Sequence, residues 1–207
     1  MMDRQTTPRV PVTLFFDYNC PFCYVASYRL ERLNQRYDMD ILWRFVEIHP
    51  ENPAAGKPLA DLGYDPARWQ VMMENLRRMV EEDGLPWGDR TFTTNTRQAI
   101  LLAQMTSIMH PEKFLPLHRA IFHAYFADGR NIGDELVLRD LAAEHGLEDV
   151  LPHAWESPQA IKVLLSHVEA AQQLGLTGVP TLVVANRPFS GAVSMEILEQ
   201  ALQEQHQ

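Results

Sequence analysis

The chain has few of the features that mark disulfide-braced, membrane-embedded or nucleic-acid-binding proteins. Its 207 residues contain only two cysteines, and 18 Lys and Arg are outnumbered by 27 Asp and Glu, a formal net charge of −9. Two cysteines cannot build a disulfide framework, and an acidic balance argues against nucleic acid or an anionic membrane as the main partner. The longest apolar run near the start, Val12–Phe16, is far shorter than the roughly 18 residues of a membrane span.

The first residues, Met1–Pro11, are polar and lack the apolar core of a signal peptide, so we expect a cytoplasmic protein. Thiols are kept reduced in the cytoplasm, where a lone C-x-x-C pair is more often catalytic than structural. The length suits one large domain, or a small domain that carries an insertion. Hydrophobic residues make up 46% of the chain, which is enough to supply a core.

Both cysteines lie in the segment Cys20-Pro21-Phe22-Cys23, between a strand-like run and a helix-like run. That spacing puts both sulfurs on one face of the first helical turn, at a separation that a disulfide can span. A thiol at a helix N-terminus faces free backbone N–H groups and the positive end of the helix dipole, which favour the thiolate. We therefore predict that Cys20 is the attacking nucleophile and that Cys23, one turn further in, is the resolving cysteine. Pro21 suits the first helical position.

Zinc binding, a structural disulfide and burial without reactivity are the competing roles for the cysteine pair. A structural zinc site would need two more ligands, and neither a second C-x-x-C nor a compact histidine pair lies beside the motif. A structural disulfide across so short a loop would remove little entropy from the unfolded chain. Two inert buried cysteines would fit poorly with a proline between them at a strand-to-helix junction. We predict a redox pair and no metal.

Hydrophobic periodicity predicts a β-α-β unit, then a block of helices, then a final α-β-β-α segment. The acidic run Glu81-Glu82-Asp83 is expected to be a solvated helix end, and residues 49–65 an irregular connection. The predicted elements are strands Val12–Phe16, Asp40–Glu47, Thr181–Ala185 and Pro188–Ser190, with a turn at Asn186-Arg187, and helices from Cys20 to about Tyr37, over Trp69–Val80, Thr96–Met109, Glu112–Ala127 and Asp134–His145, from Ser157 to Gly175, and after Ser194.

Five segments together resemble the DsbA-like oxidoreductases, and within them the FrnE-type branch, which is close to 2-hydroxychromene-2-carboxylate isomerases and kappa-class glutathione transferases. The segments are Asp17–Tyr24, Asn95–Thr96, Ala124–Ile132, Gly178–Thr181 and Ser190–Ala192. The resemblance implies an α/β protein with a thioredoxin fold and an inserted all-helical domain. The discontinuous thioredoxin-like domain would cover residues 1–48 and 156–207, and the insertion residues 49–155.

The resemblance also implies roles for particular residues. Cys20 and Cys23 match the redox pair, and Val179-Pro180 matches the segment whose prolyl bond is cis in this fold. That turn would place the backbone of Val179 opposite Cys20, where it can pair with a substrate strand. The predicted substrate-binding residues are Pro21, Phe22, Val179, Pro180 and Thr181.

Two positions depart from the family pattern. The residue before the second cysteine is commonly tryptophan in the family and is Phe22 here, which keeps the apolar bulk but loses an indole N–H. Leu14 stands where thioredoxins and DsbA proteins often bury an acid. Water, Asp17 or another group must then carry the proton of Cys23.

The predicted function is thiol–disulfide exchange with protein or low-molecular-weight substrates, in an enzyme that resembles protein disulfide oxidoreductases and isomerases. No bound cofactor is predicted, and glutathione is a candidate co-substrate. One alternative is a glutathione-dependent isomerase or transferase for a small aromatic substrate, although such relatives usually carry serine where Cys20 stands. Another is a non-enzymatic protein-binding or chaperone module that uses the methionine-rich helix Trp69–Val80, a stripe that is more typical of a core.

Overall fold

A computed structural model of the protein describes residues 9–206; residues 1–8, which begin the first predicted domain segment, and residue 207 lie outside the described residues. The elements in chain order are β1 (Val10–Phe16), α1 (Pro21–Asn34), β2 (Met39–Phe45), β3 (Lys57–Pro58), a 3-10 turn (Leu59–Leu62), α2 (Pro66–Asp83), β4 (Phe92–Thr93), α3 (Arg97–Met109), α4 (Pro111–Phe126), α5 (Glu135–Glu144), α6 (Val150–Trp155), α7 (Pro158–Gln173), β5 (Thr181–Val184), β6 (Arg187–Ser190), α8 (Met195–Gln203) and a final 3-10 turn (Glu204–His206).

Four strands form the main sheet in the order β2-β1-β5-β6. β1 is parallel to β2, with α1 as the crossover, and antiparallel to β5, which forms a hairpin with β6. The inner strand β1 is largely buried, as its run of β-branched and aromatic residues predicts. This arrangement confirms the predicted thioredoxin fold, with β6 at the edge of the sheet, where Pro188 deprives no neighbouring strand of a donor.

The helices begin where short polar side chains can accept hydrogen bonds from free backbone N–H groups. Asp65, Asp134, Ser157 and Ser194 each accept one at the start of α2, α5, α7 and α8. The starts of α5, α7 and α8 at these residues agree with the helices predicted from the sequence. At the other end, α2 stops at Gly84, whose φ of 64° lies in the left-handed region that glycine adopts without strain.

Helices α2 to α6 lie between the β-α-β unit and α7 and form most of the insertion. Three short elements there were not predicted from the sequence: the 3-10 turn Leu59–Leu62, the antiparallel pair of β3 and β4, with two residues in each strand, and the six-residue helix α6. Elements this short carry no periodic signal, so hydrophobic patterning could not reveal them.

The hairpin turn between β5 and β6 lies one residue earlier than predicted. Ala185 and Asn186 both have positive φ, 45° and 71°, and Val184 pairs directly with Arg187. Two consecutive residues with positive φ make the tight turn that follows the twist of the strands. Arg187 therefore belongs to β6 and not to the turn.

The acidic end of α2 is not fully solvated, contrary to the expectation for Glu81-Glu82-Asp83. Asp83 is buried and pairs with the buried Arg29 of α1, whose Nε lies 2.6 Å from the Asp83 carboxylate. Arg29 also donates to the carbonyl of Val193 at 3.0 Å, in the segment that joins β6 to α8. One ion pair thus connects α1, α2 and the start of the last helix.

A fully buried histidine lies in the aromatic core between α1 and α4. The ring of His118 is hydrogen-bonded to the hydroxyl of Tyr18 at 2.9 Å and to that of Ser27 at 2.6 Å. Burial lowers the pKa of His118 to about 3, so the ring is neutral at physiological pH. Within residues 9–206, no helix is long and apolar enough to cross a bilayer.

Candidate active site

Cys20 and Cys23 are brought together at the start of α1, as the motif predicts. Cys20 occupies the N-cap position with an extended backbone, and its carbonyl accepts a hydrogen bond from the N–H of Cys23 at 3.0 Å. Pro21 stands at the first helical position, where its missing N–H costs nothing. Both cysteines are free thiols in the structure, and Cys20 retains 6% of its accessible surface against 0% for Cys23. Of the two, Cys20 is the one a substrate can reach.

The loop before β5 lies directly against Cys20. β5 pairs with β1 so that Thr181 is opposite Phe15, and this register brings the preceding residues to the end of β1, where Cys20 follows. The Val179–Pro180 peptide bond is cis, as the resemblance implies. The Sγ atom of Cys20 lies 3.7 Å from the carbonyl oxygen of Val179 and donates to it.

Asp17 is a fully buried carboxylate three residues before Cys20. Its Oδ1 accepts hydrogen bonds from the N–H of Asn19 at 3.1 Å and the hydroxyl of Thr96 at 2.6 Å, and its Oδ2 accepts one from the N–H of Ile48 at 2.8 Å. Burial raises the pKa of Asp17, and these three donors oppose that rise. Thr96 therefore holds this carboxylate, rather than capping α3 with its side chain.

The pKa of Cys23 is raised well above its ordinary value. Burial is the main cause, followed by its interactions with Cys20, while the charge of Asp17 adds a smaller increase. The backbone N–H of Asp17 acts in the opposite direction. At neutral pH, Cys23 therefore holds its proton until it acts.

Asn19, the residue before Cys20, connects the C-x-x-C turn to the insertion by hydrogen bonds. Its side-chain amide donates to the carbonyl of Thr94 at 2.9 Å, and its Oδ1 accepts from the hydroxyls of Thr93 at 2.9 Å and Tyr125 at 2.8 Å. All three partners belong to the insertion. An asparagine beside a C-x-x-C motif carries no sequence signal for this role, because its partners are 74 or more residues away.

A cavity of about 390 Å³ lies between Cys20 and the insertion. The thioredoxin part contributes the turn around Cys20 and Val179, while α2 and the segments beside it contribute an aromatic and methionine-rich wall. That wall includes Leu59, Leu62, Tyr64, Trp69, Met72, Met73 and Trp87. The methionine-rich face of α2 is therefore only partly core. Leu76 and Val80 are buried against the rest of the fold, while Met72 and Met73 line the cavity.

A second, more open groove of about 970 Å³ runs along the other side of Phe22. It lies between α2 and the segment from Ser190 to Ser194, and Val179 and Pro180 form part of its floor. Cys20 is not among the residues that line it. Phe22, Met72 and Val179 line both the cavity and the groove.

The five residues predicted to bind substrate do not all lie on one surface in the structure. Pro21, Phe22 and Val179 line the cavity, and Pro180 lines the open groove. Thr181 lines neither: it is 1% exposed, and its hydroxyl donates to the carbonyl of Gly178 at 2.8 Å. This hydrogen bond joins Thr181 to the loop before β5. Among residues 9–206, no group of His, Cys, Asp and Glu side chains is arranged to hold a metal ion.

The fold and the cysteine pair define a thioredoxin-fold protein with a dithiol at the start of its first helix. The chain belongs to the family described as the DSBA-like thioredoxin domain, which matches residues 11–203. Membership supports an oxidoreductase of the thiol–disulfide class.

Similar proteins align with nearly the whole chain. The uncharacterized protein YwbO of Bacillus subtilis (strain 168) is 24% identical over 200 residues, which cover 95% of this chain and 97% of that protein. The crystal structure of a probable DsbA oxidoreductase, SCO1869 from Streptomyces coelicolor, has a TM-score of 0.83 at 25% identity, covering 96% of this chain and 90% of that one. A 2-hydroxychromene-2-carboxylate isomerase shares the fold, with a TM-score of 0.75 at 19% identity and coverage of 94% and 95%.

Proposed function

We propose that the protein exchanges thiols and disulfides through Cys20 and Cys23. The observation that carries this proposal is the position of Cys20, whose sulfur lies in a cavity beside the Val179 carbonyl while Cys23 lies one helical turn behind it. Substrates of this chemistry are thiols and disulfides, either of proteins or of small molecules.

The proposed reaction proceeds through a mixed disulfide. The Cys20 thiolate attacks one sulfur of a substrate disulfide, a Cys20–substrate bond forms, and the other sulfur leaves as a thiolate. Cys23 then gives up its proton and attacks the Cys20 sulfur, which releases the second substrate thiolate and closes the Cys20–Cys23 disulfide. The protein loses two electrons and two protons, and the substrate disulfide becomes two thiols. The same steps in reverse oxidise a dithiol substrate.

Graded glutathione buffers test the proposal. After equilibration and acid quenching, intact mass should show the loss of two hydrogens as the buffer becomes more oxidising, through a single two-electron transition. Cys23→Ala should accumulate a glutathione adduct at Cys20, because the resolving step is missing. Cys20→Ser should accumulate none, because Cys23 is fully buried. Equal and negligible adducts in both variants would contradict the mechanism.

A second candidate is a glutathione-dependent isomerase or transferase for a small aromatic substrate. The aromatic wall of the cavity beside Cys20 favours it, and the named isomerase shares the fold. Turnover of an aromatic electrophile with glutathione distinguishes the two functions. Because serine matches Cys20 in relatives of that kind, Cys20→Ser should keep isomerase or transferase turnover and abolish disulfide exchange.

A further inference from the structure

The cavity beside Cys20 contains an arginine whose charge is not neutralised by the residues around it. Arg90 follows α2, and its guanidinium lies over aromatic rings of the insertion. Its Cζ atom is 4.2 Å from the ring centre of Tyr125 and 5.2 Å from that of Phe126. It donates one hydrogen bond, to the Tyr125 hydroxyl at 3.0 Å. Its Nε is buried and has no hydrogen-bond partner among the described residues.

Arg90 is half-buried. A cation that loses much of its hydration is normally paired with a carboxylate, because an unpaired charge is then left without compensation. Arg90 forms no ion pair with a carboxylate of residues 9–206, although Asp89 beside it is exposed and lines the same cavity. Burial lowers the pKa of Arg90 from its ordinary value, and the Tyr125 hydroxyl opposes that shift. A guanidinium keeps its charge near neutral pH in such surroundings.

The remaining charges of the cavity also favour an anion. Arg77 of α2 lines the cavity, is exposed and pairs with no carboxylate in the described part of the chain. The charged residues that line the cavity are thus Arg77, Arg90 and Asp89, with His49 as a further titratable group. A cleft with an excess of one charge and apolar walls concentrates ligands of the opposite charge.

The size and enclosure of the cavity indicate a small ligand. Its volume of about 390 Å³ lies within the range of roughly 300–1,000 Å³ that is typical of small-molecule sites. Cys20 keeps only 6% of its surface exposed, and the insertion covers it. A protein strand would fit the wider groove beyond Phe22, but Cys20 does not line that groove.

We propose that the cavity is the binding site for a small disulfide, or its thiol, that carries a carboxylate or another anionic group. Arg90 binds the anion while the aromatic and methionine side chains pack on the apolar body and the sulfur reaches Cys20. This inference rests on the proposed function and names its substrate class. The reaction is the exchange written above: one anionic disulfide takes two electrons from Cys20 and Cys23 and leaves as two anionic thiols.

Two aromatic disulfides of similar shape and different charge provide the test: 5,5′-dithiobis(2-nitrobenzoate), which is a dianion, and 4,4′-dithiodipyridine, which is neutral. The rate constant of Cys20 with each is measured by stopped flow in the Cys23→Ala background, where Cys20 is the reacting thiol. The ratio of the two rate constants is the readout, because the fraction of active protein and the general reactivity of Cys20 cancel in it.

Arg90→Gln should lower the ratio of the anionic to the neutral rate constant by about tenfold or more, the effect of losing a charge-assisted hydrogen bond. Arg90→Lys should lower this ratio less than Arg90→Gln does, because lysine keeps the positive charge. Arg187→Gln is the matched control, because it removes the same charge far from the cavity. Arg187 is the first residue of β6 and pairs with Val184, which lies opposite the end of β1 that is distant from Cys20. Its ratio should stay within about twofold of the parent value.

If Arg90→Gln does not fold, the inference can still be tested on the Cys23→Ala protein with Arg90 intact. 4-Nitrobenzoate, which has no sulfur, should slow the reaction of Cys20 with both disulfides in the Cys23→Ala protein, while uncharged nitrobenzene at equal concentration should slow it less. Equal ratios in the Arg90 and Arg187 variants, or no protection by 4-nitrobenzoate, would overturn the inference. Failure of the wild-type protein to form the Cys20–Cys23 disulfide with either reagent would instead overturn the proposed function.

Discussion

Replacing Asp83 with asparagine removes one charge from the buried pair that joins α1, α2 and the segment before α8. The side chains of Arg29 and Asp83 are only 5% and 6% exposed, and their ion-pair atoms are 2.6 Å apart. Removing one partner of such a pair typically costs about 3–5 kcal/mol, because the other charge stays buried without its counterion. Arg29 would keep the Val193 carbonyl at 3.0 Å and Glu82 at 4.0 Å. We therefore expect Asp83→Asn to cost about 3 kcal/mol, the lower end of that range.

The opposite replacement should cost more. In Arg29→Met, the Asp83 carboxylate would have only Arg32 nearby, at 3.8 Å and 49% exposed. We expect a loss of about 4–5 kcal/mol in the free energy of unfolding. Replacing both charges, as in Arg29→Met with Asp83→Leu, should cost clearly less than the sum of the single replacements, because neither charge is then left alone.

Urea unfolding followed by circular dichroism measures these losses. A loss of about 3 kcal/mol should lower the urea midpoint by about 1 M or more at an unchanged slope. Asp140→Asn is the matched control: its partner Arg130 lies 3.1 Å away, but Asp140 is 67% exposed. An exposed pair is worth about 1 kcal/mol or less. The reasoning is wrong if Asp83→Asn and Asp140→Asn cost the same, or if the double replacement costs the full sum.

Three further predictions concern pH, packing and the cysteine pair. Burial lowers the pKa of His118 to about 3 and that of His167 to about 4. Between these values and the ordinary pKa of 6.5 the unfolded chain binds more protons than the folded one, so stability should fall as the pH falls through this window. His118→Gln should reduce the slope of the unfolding free energy against pH by about 1.4 kcal/mol per pH unit in the window below pH 6, and an unchanged slope would refute this. Gly88→Ala should lower the melting temperature markedly, because its Cβ would lie 2.2 Å from the Ala127 carbonyl oxygen; a melting temperature equal to wild type would contradict this contact. Asp17→Asn should lower the pKa of Cys23, since the Asp17 charge raises it. The pH dependence of the ¹³C NMR shift of the Cys23 Cβ in a Cys20→Ser background measures this pKa without a reagent having to reach the buried thiol; an increase would show that the charge acts otherwise.

Local chemistry made much of the fold predictable. The β-branched and aromatic residues of β1, the helix caps at Asp134, Ser157 and Ser194, and the position of Cys20 at a helix start can each be read from a few neighbouring residues. The relation of Val179 to Cys20 came from resemblance, and the strand pairing of β1 with β5 explains it physically.

The surroundings of the cysteine pair could not be predicted, because they depend on contacts between distant segments. Asp83 looked like a solvated helix end, since nothing near it in sequence shows that Arg29 lies opposite. Nothing near Arg90 in the sequence marks it as a site residue, and its position beside Tyr125 follows from the packing of the insertion. Charges of this kind are recognised only when the tertiary neighbours are known.

The side chain of Asn19 has a consequence for how this architecture can diverge. Because this single amide binds Thr93, Thr94 and Tyr125 immediately next to Cys20, the insertion cannot be exchanged without affecting the Cys20 turn. A chimaera that grafts the corresponding helices from a relative would disturb the backbone that presents the sulfur. Substrate range and thiol reactivity should therefore evolve together in this architecture, with changes in one requiring compensation in the other.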